Sequence, residues 1–245
     1  MRIAGIIPVR FKSTRFPGKA LADVNGKTMV QRVYEQASAA SGLDQVIVAT
    51  DHTEIYKHVR DFGGEACMTG DHHPSGTDRC REALENLPQQ YDFIVNIQGD
   101  EPFIDPGQIE ELIKGLNPSI QIATQARRIE EHSKLTDPNC VKVIFNKQGN
   151  AVYFSRSPVP HLRNHPRDQW IHHFDYYQHI GLYAYRADIL QEVTLLPVSP
   201  LEKAEGLEQL RWLENSYSIK VLPTRFYADG IDTPEDLVKA LAEHG

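Results

Sequence analysis

Met1-Arg2-Ile3-Ala4-Gly5-Ile6-Ile7-Pro8-Val9-Arg10-Phe11-Lys12-Ser13-Thr14-Arg15-Phe16-Pro17-Gly18-Lys19-Ala20-Leu21-Ala22 opens the chain. The apolar run from Ile3 to Ile7 predicts a buried strand, broken at Pro8 into a basic loop that closes on Pro17-Gly18-Lys19. A loop after a first β-strand is where α/β proteins hold a ligand's phosphates. These 22 residues contain five cations (Arg2, Arg10, Lys12, Arg15, Lys19) and no acid, in a chain whose net charge is −7. The other 223 residues therefore carry −12. Positive charge this concentrated points to a small polyanionic ligand, whereas a nucleic-acid binder carries a broad basic face. Taken alone, the loop also reads as a solvated basic turn.

Working outward, the first half alternates strand and helix patterns, the βαβ rhythm of a mostly parallel sheet flanked by helices. Met29, Val30, Val33, Ala37 and Ala40 share one helical face. Strands are predicted at Gln45 to Thr50 and Glu65 to Thr69, with helices at Glu54 to Phe62 and Thr77 to Leu87. Phe93-Ile94-Val95-Asn96-Ile97 is nearly continuous in apolar residues and so predicts a central strand. Asp105-Pro106 starts a further helix. Beyond about residue 120 the rhythm changes. Val141 to Phe145 and Ala151 to Phe154 flank a Lys147-Gln148-Gly149-Asn150 turn, a Pro/His/Arg-rich loop runs from Ser157 to Gln169, and residues 180 to 186 return to a strand. One helix is predicted from Leu201 to Asn215, and Thr233-Pro234-Glu235-Asp236 has the cap, proline and acids of a last one. The expected plan is a single domain over 1–245, a Rossmann-like α/β core with an inserted β-rich subdomain at about 125–185.

The composition, 40% hydrophobic and 24% charged, is that of a soluble globular chain. No apolar stretch approaches the roughly 20 residues that span a bilayer, so no membrane partner is expected. Cys67, Cys80 and Cys140 are odd in number and lack CxxC spacing, which predicts reduced thiols, and no signal-peptide pattern opens the chain; both fit a cytoplasmic location.

Several motifs are excluded. Gly18-Lys19 is not a Walker A ending, because Ser13 and Ala20 stand where Gly and Ser/Thr belong. No GxGxxG follows a predicted strand, which disfavours a nicotinamide oxidoreductase. Eleven histidines do not make a zinc site: His172-His173 are adjacent and no HExxH occurs.

What remains is polar and anion-directed. Asp100, in Gln98-Gly99-Asp100-Glu101-Pro102, follows the most apolar strand and so sits at a carboxyl edge where it could hold Mg²⁺ on phosphate oxygens, or only cap a turn. Ser75-Gly76-Thr77-Asp78-Arg79 starts a helix whose amides and hydroxyls suit phosphate or base contacts, with plain N-capping as the alternative. Arg156, His179, Tyr183 and Tyr185 could bind a sugar acid, and Asp232 is a second metal-ligand candidate that in isolation is only an acid ahead of a helix.

Together these blocks resemble the 3-deoxy-manno-octulosonate (Kdo) cytidylyltransferase family. The resemblance runs over nearly the whole chain: Ile7-Pro8-Val9-Arg10, Ser13 to Lys19, Ala49-Thr50-Asp51, Ser75 to Arg79, Gln98 to Pro102, Tyr153-Phe154-Ser155-Arg156, His179 to Tyr183, Leu207 to Arg211 and Asp232 to Asp236. Val9, Phe16 and Asp78 depart mildly from the family's residues, and Ser157 to Gln169 fits it least. Sialic acid cytidylyltransferases are similar too, but their first loop usually reads Gly-Ser-Lys where this chain has Lys12-Ser13-Thr14-Arg15. The resemblance implies a nucleotide-diphospho-sugar transferase fold, a homodimer joined through the β-rich insertion, and CMP transfer from CTP to Kdo for lipopolysaccharide synthesis. It implies Arg10 and Lys19 on the triphosphate, and Asp100 and Asp232 on Mg²⁺. Pro8, Ser13, Ser75, Asp78 and Gln98 fall on the nucleotide side, and Arg156, His179, Tyr185, Glu208 and Gln209 on the sugar side. Other 2-keto sugar acids such as 8-amino-Kdo stay open as acceptors, and so does a regulator that binds a sugar nucleotide without turnover.

Overall fold

The computed structural model describes residues 1–12, 15–228 and 230–244. Ile3–Val9 (β1) is buried except at Pro8 and is flanked on both edges, by β4 (Gln45–Thr50) and β6 (Phe93–Asn96), each parallel to it. The sheet runs in the order β11 (Ile219–Pro223), β7 (Ile122–Arg128), β10 (Tyr177–Arg186), β6, β1, β4, β5 (Ala66–Met68). β10 is antiparallel to both of its neighbours, while the other adjacent pairs are parallel. A two-stranded ribbon, β2 (Asp23–Val24) and β3 (Lys27–Thr28), stands apart.

Helices cover both faces. On one, α1 (Met29–Ala39), α2 (Thr53–Asp61) and α4 (Pro106–Lys114) pack Val30, Val33, Ile55, Val59, Ile109 and Leu112 onto β1, β4 and β6. On the other, α3 (Gly76–Glu85) and α7 (Ala187–Val193) pack Cys80, Ala83, Ile189 and Leu190 against Ala4, Ile6 and Ile94. The chain leaves β1 toward β4 on one side and reaches β6 on the other. The carboxyl end of β1 is thus a topological switch point, where α/β sheets open a crevice.

The predicted insertion is placed differently from the expected 125–185. β7 and β10 at its two ends are internal strands of the main sheet. What branches from the main strand order is the stretch 129–176, with α5 (His132–Thr136), the β8 (Lys142–Phe145) and β9 (Ala151–Ser155) hairpin, and α6 (Trp170–His173). Even the hairpin is joined to the sheet, through Lys142 opposite Gln178. A small core of Ile129, Leu135, Cys140, Trp170 and Tyr176 holds this lobe.

The helix expected from Leu201 to Asn215 is two helices, α8 (Pro200–Glu205) and α9 (Gln209–Glu214). Gly206 stands at φ 64°, a conformation that ends an α-helix and that glycine adopts without strain. The last helix, α10 (Pro234–His244), starts as its sequence predicts, with Thr233 Oγ1 accepting the Asp236 N–H at 3.2 Å.

Candidate active site

A cleft of about 340 Å³ opens at the carboxyl ends of β1 and β6, lined among others by Pro8, Arg10, Lys19, Ser75, Gln98, Asp100 and Asp232. Seven residues singled out from the sequence thus meet at the switch point. Its walls approach closely because Gly99 has no side chain: a Cβ there would lie 2.9 Å from Val9 Cγ2 and 3.1 Å from the Pro8 carbonyl. The cleft also takes in Arg15, one of the cations of the basic loop, together with His73 and Arg79, to which the sequence assigns no individual role. Ser13 lies outside the described residues.

Lys19 stands at the centre of the charge arrangement. Its Nζ is 2.8 Å from Asp100 Oδ2 and 3.3 Å from Asp232 Oδ1, and the side chain is only 15% exposed. Arg15 Nη2 reaches the same Asp232 oxygen at 2.9 Å from a much more exposed position. The fold brings Asp232 here from the far end of the chain. Ile231 is fully buried with Val24 and Met29, and its N–H donates to the Asp100 carbonyl at 2.8 Å. Two carboxylates converging on one ammonium form a place that already accommodates a cation. Among the described residues no cluster of three or more His, Cys, Asp or Glu side chains could hold a metal. Asp100 and Asp232 could serve as donors, a set of two carboxylates that suits Mg²⁺, an ion that takes one or two protein carboxylates and fills its octahedron with phosphate oxygens and water.

On the facing wall, Ser75 caps α3: its Oγ accepts the Asp78 N–H at 3.2 Å and donates to Asp78 Oδ2 at 2.6 Å. The capping alternative weighed for this motif is therefore realised, and the same cap presents Ser75 and Gly76 to the cleft. Asp78 is occupied within that cap. Gln98 donates from Nε2 to the Gly181 carbonyl at 3.0 Å, tying the cleft to the irregular turn of β10 between Ile180 and Tyr183.

The five sugar-side residues lie away from the cleft lining. Glu208 is the nearest in linkage, its carboxylate accepting the Thr77 hydroxyl at 2.7 Å beside the Ser75 cap. Gln209 is buried as the first residue of α9. His179 accepts or donates at Thr124 Oγ1 (3.1 Å) and meets the Phe154 ring edge-on, and the packed protein around its imidazole pushes its pKa down to about 3, so it is neutral. Tyr185 is fully buried, stacked on Tyr183 and edge-on to Trp212. Arg156 spans two loops, with Nε on the Glu205 carbonyl (2.7 Å), Nη2 on Gly206 (3.4 Å) and Nη1 on Pro138 (3.0 Å).

Burial raises the Glu208 carboxyl above the usual carboxylate range. Its protonated form is therefore favoured by folding. That contribution is complete below the unfolded pKa and is lost as pH rises through the folded one. Glu208→Gln should accordingly raise stability by about 1 kcal/mol at pH 8, the lower end of what an ill-matched buried polar group costs. Near pH 4 the two proteins should unfold alike, as urea midpoints at the two pH values would show. A gain that is the same at both would assign the effect to something other than ionisation.

The sheet order sets a cleft lined by cations and two carboxylates at the topological switch point, where α/β folds bind their ligands. Residues 4–220 match the family described as Cytidylyltransferase. A 3-deoxy-manno-octulosonate cytidylyltransferase from Parabacteroides distasonis is 53% identical over 99% of this chain and 98% of its own. Among solved structures, a CMP:2-keto-3-deoxy-manno-octonic acid synthetase complexed with CTP superposes at a TM-score of 0.92 with 40% identity, covering 100% of this chain and 98% of that one. A 4-diphosphocytidyl-2C-methyl-D-erythritol synthase from Anaerococcus prevotii shares the fold alone, with a TM-score of 0.63 at 15% identity over 99% and 96% of the two chains. The chain belongs to the cytidylyltransferase family, in its 3-deoxy-manno-octulosonate branch. Among the described residues, no helix is long and apolar enough to cross a membrane.

Proposed function

We propose that the protein transfers CMP from CTP to the anomeric hydroxyl of Kdo. The hydroxyl oxygen bonds to the α-phosphorus and its proton passes to solvent, the bond from the α-phosphorus to the oxygen bridging to the β-phosphate breaks, and pyrophosphate leaves. The observation that carries this reading is Lys19 set between Asp100 and Asp232 at the mouth of β1, in a chain so similar to a synthetase complexed with CTP. Chemistry of this kind needs alignment and charge neutralisation more than a covalent intermediate. Arg10 and Lys19 neutralise the triphosphate, while the α3 amides behind Ser75 give a second anion-facing wall. Pro8 and Gln98 border the nucleoside. Asp100 and Asp232 would hold Mg²⁺, which when bound would add positive charge at the phosphate oxygens and lower the pKa of a nearby hydroxyl.

On the sugar side, Arg156 uses one N–H of each nitrogen on backbone carbonyls, so each terminal nitrogen keeps one for a carboxylate. His179, neutral, and Glu208 and Gln209 of the α8–α9 break complete that side, with Tyr185 supporting from the core. Arg156→Lys keeps the charge and loses the planar fork, so the KM for the sugar should rise about tenfold and that for CTP little. An equal rise in both would place Arg156 elsewhere.

Pyrophosphate release with CTP and Kdo, run beside 8-amino-Kdo and a sialic acid, tests the proposal. Turnover fastest with Kdo supports it, and CTP binding without release with any acceptor would make the protein a sugar-nucleotide-binding regulator. The product would serve lipopolysaccharide synthesis in the cytoplasm, a setting that three free thiols suit. Homodimerisation through the 129–176 lobe is part of the same reading. Val152 on β9 and Phe174 beside α6 are exposed there, and sedimentation would show whether Val152→Asp dissociates two copies.

A further inference from the structure

Asp51, the last residue of the Ala49-Thr50-Asp51 block, has no part in the chemistry so far, and it does not line the cleft. It follows β4 directly and its carboxylate, 13% exposed, faces two ways. Oδ2 lies 3.0 Å from Arg79 Nη2, and Oδ1 accepts the Phe11 N–H at 3.4 Å. Arg79, nearly buried in α3, continues the chain of contacts through Nη1 to Thr69 Oγ1 (2.5 Å) and the Gly70 carbonyl (3.2 Å), and it does line the cleft.

Phe11 is the point where the basic loop is fastened. Its carbonyl accepts the Gly18 N–H at 3.4 Å, which brings the two ends of the loop together. Arg10 directly precedes this closure and Lys19 directly follows it. The Phe11 ring stacks on His52 at 3.9 Å and 13°. Asp51 and His52 thus hold the loop from the β4 side, and through Arg79 the same carboxylate grips the opposite wall. A buried ion pair adds little net stability because desolvation offsets its attraction, so what this pair chiefly fixes is the placement of the groups it joins.

We propose that Asp51 is a positioning residue: it sets the spacing between the basic loop and the α3 wall, so that Arg10 and Lys19 face Ser75 and Gly76 across the cleft. The inference rests on the reading of this cleft as the CTP site. Its action runs through the loop, which separates it from a general effect on stability.

Asp51→Asn keeps an acceptor for Phe11 and removes the charge opposite Arg79. Two measurements test it. In the ligand-free protein, trypsin should cut after Arg10, Lys12, Arg15 and Lys19 about fivefold faster in the variant, with cleavage elsewhere unchanged. By calorimetry, CTP affinity should fall about tenfold in an otherwise natural chain. In a Lys19→Ala background the fall should be smaller, about threefold, because Arg10 alone is then left for Asp51 to position. Unchanged trypsin rates, or a CTP loss of equal size in both backgrounds, would overturn the proposal. If the natural protein bound no CTP, the functional reading would fall, and the trypsin rates alone would decide the anchoring. Should Asp51→Asn not fold, His52→Ala removes only the stacking partner of Phe11. It should move both measurements the same way, by about threefold, and no movement in either would overturn the proposal.

Discussion

Lys19→Ala should lower CTP turnover by about 10²- to 10³-fold, and Arg10→Ala by about 10²-fold, with both variants folded. The two cations flank the cleft but differ in surroundings. Arg10 is exposed at the end of β1, so its loss removes one charge-assisted contact to the triphosphate. Lys19 sits between Asp100 and Asp232, and its removal also leaves two carboxylates facing an anionic substrate without their shared counter-charge. The larger effect therefore belongs to Lys19. Neither side chain fills the core, where Ala20 is the buried residue of this turn, so thermal midpoints should move by only a few degrees. Steady-state pyrophosphate release beside thermal unfolding checks both halves. Near-natural kinetics in both variants would mean that the loop does not hold the triphosphate.

The fold was legible where one residue pattern had one physical meaning. Ile3 to Ile7 and Phe93 to Ile97 are apolar on both faces, which only a central strand requires, and both lie mid-sheet. The Gln45 to Thr50 strand matches to the residue. Illegible stretches mixed two environments. Ile122–Arg128 carries Thr124 and Gln125, both fully buried, and their polarity hides a central strand. Thr124 Oγ1 is bonded to the Ile180 and Leu182 carbonyls at the irregularity of β10, a long-range pairing that no local pattern announces. Ile219–Pro223 is a short edge strand ending in proline, and is as weakly marked. By contrast, Gly206 was a visible signal. Helical periodicity continues through it, but its backbone conformation ends α8 and turns Glu208 toward Thr77.

In the site, residues that cluster in sequence were also the readable ones. The basic loop, Ser75 and the Gln98 to Asp100 turn each sit at the end of an element whose direction the sequence predicts, and those ends meet at the switch point. The proposed sugar side is less readable because its members sit just after β9, on β10 and at the start of α9, and two of them, Tyr185 and Gln209, are buried. Arg79 and the pairing of Arg15 with Asp232 escaped because the partners, Asp51 and Asp232, are distant in the chain.

Asp232→Asn should slow chemistry by about 10²-fold while leaving CTP affinity nearly unchanged. The reasoning starts from what Asp232 does not do. The cap of α10 is made by Thr233 and Asp236: Thr233 Oγ1 accepts the Asp236 N–H, and Asp236 Oδ2 accepts the N–H groups of Asp232 and Thr233 at 3.1 and 2.9 Å. The Asp232 side chain takes no part in that cap and is spent on Lys19 and Arg15. Asn preserves its size and an acceptor oxygen, so a residue that merely flanks the helix would be silent when substituted. A residue that holds Mg²⁺ with Asp100 would not be, because an amide oxygen is a weaker ligand than a carboxylate for a hard cation. Asp100 and the basic loop would still hold the triphosphate, which is why the defect should fall on kcat. Raising Mg²⁺ should restore part of the rate if occupancy is what was lost. Turnover measured across a Mg²⁺ titration, beside calorimetric CTP binding, separates these outcomes. An unchanged rate at limiting Mg²⁺ would leave Asp100 as the single protein ligand and reduce Asp232 to a counter-charge for Lys19.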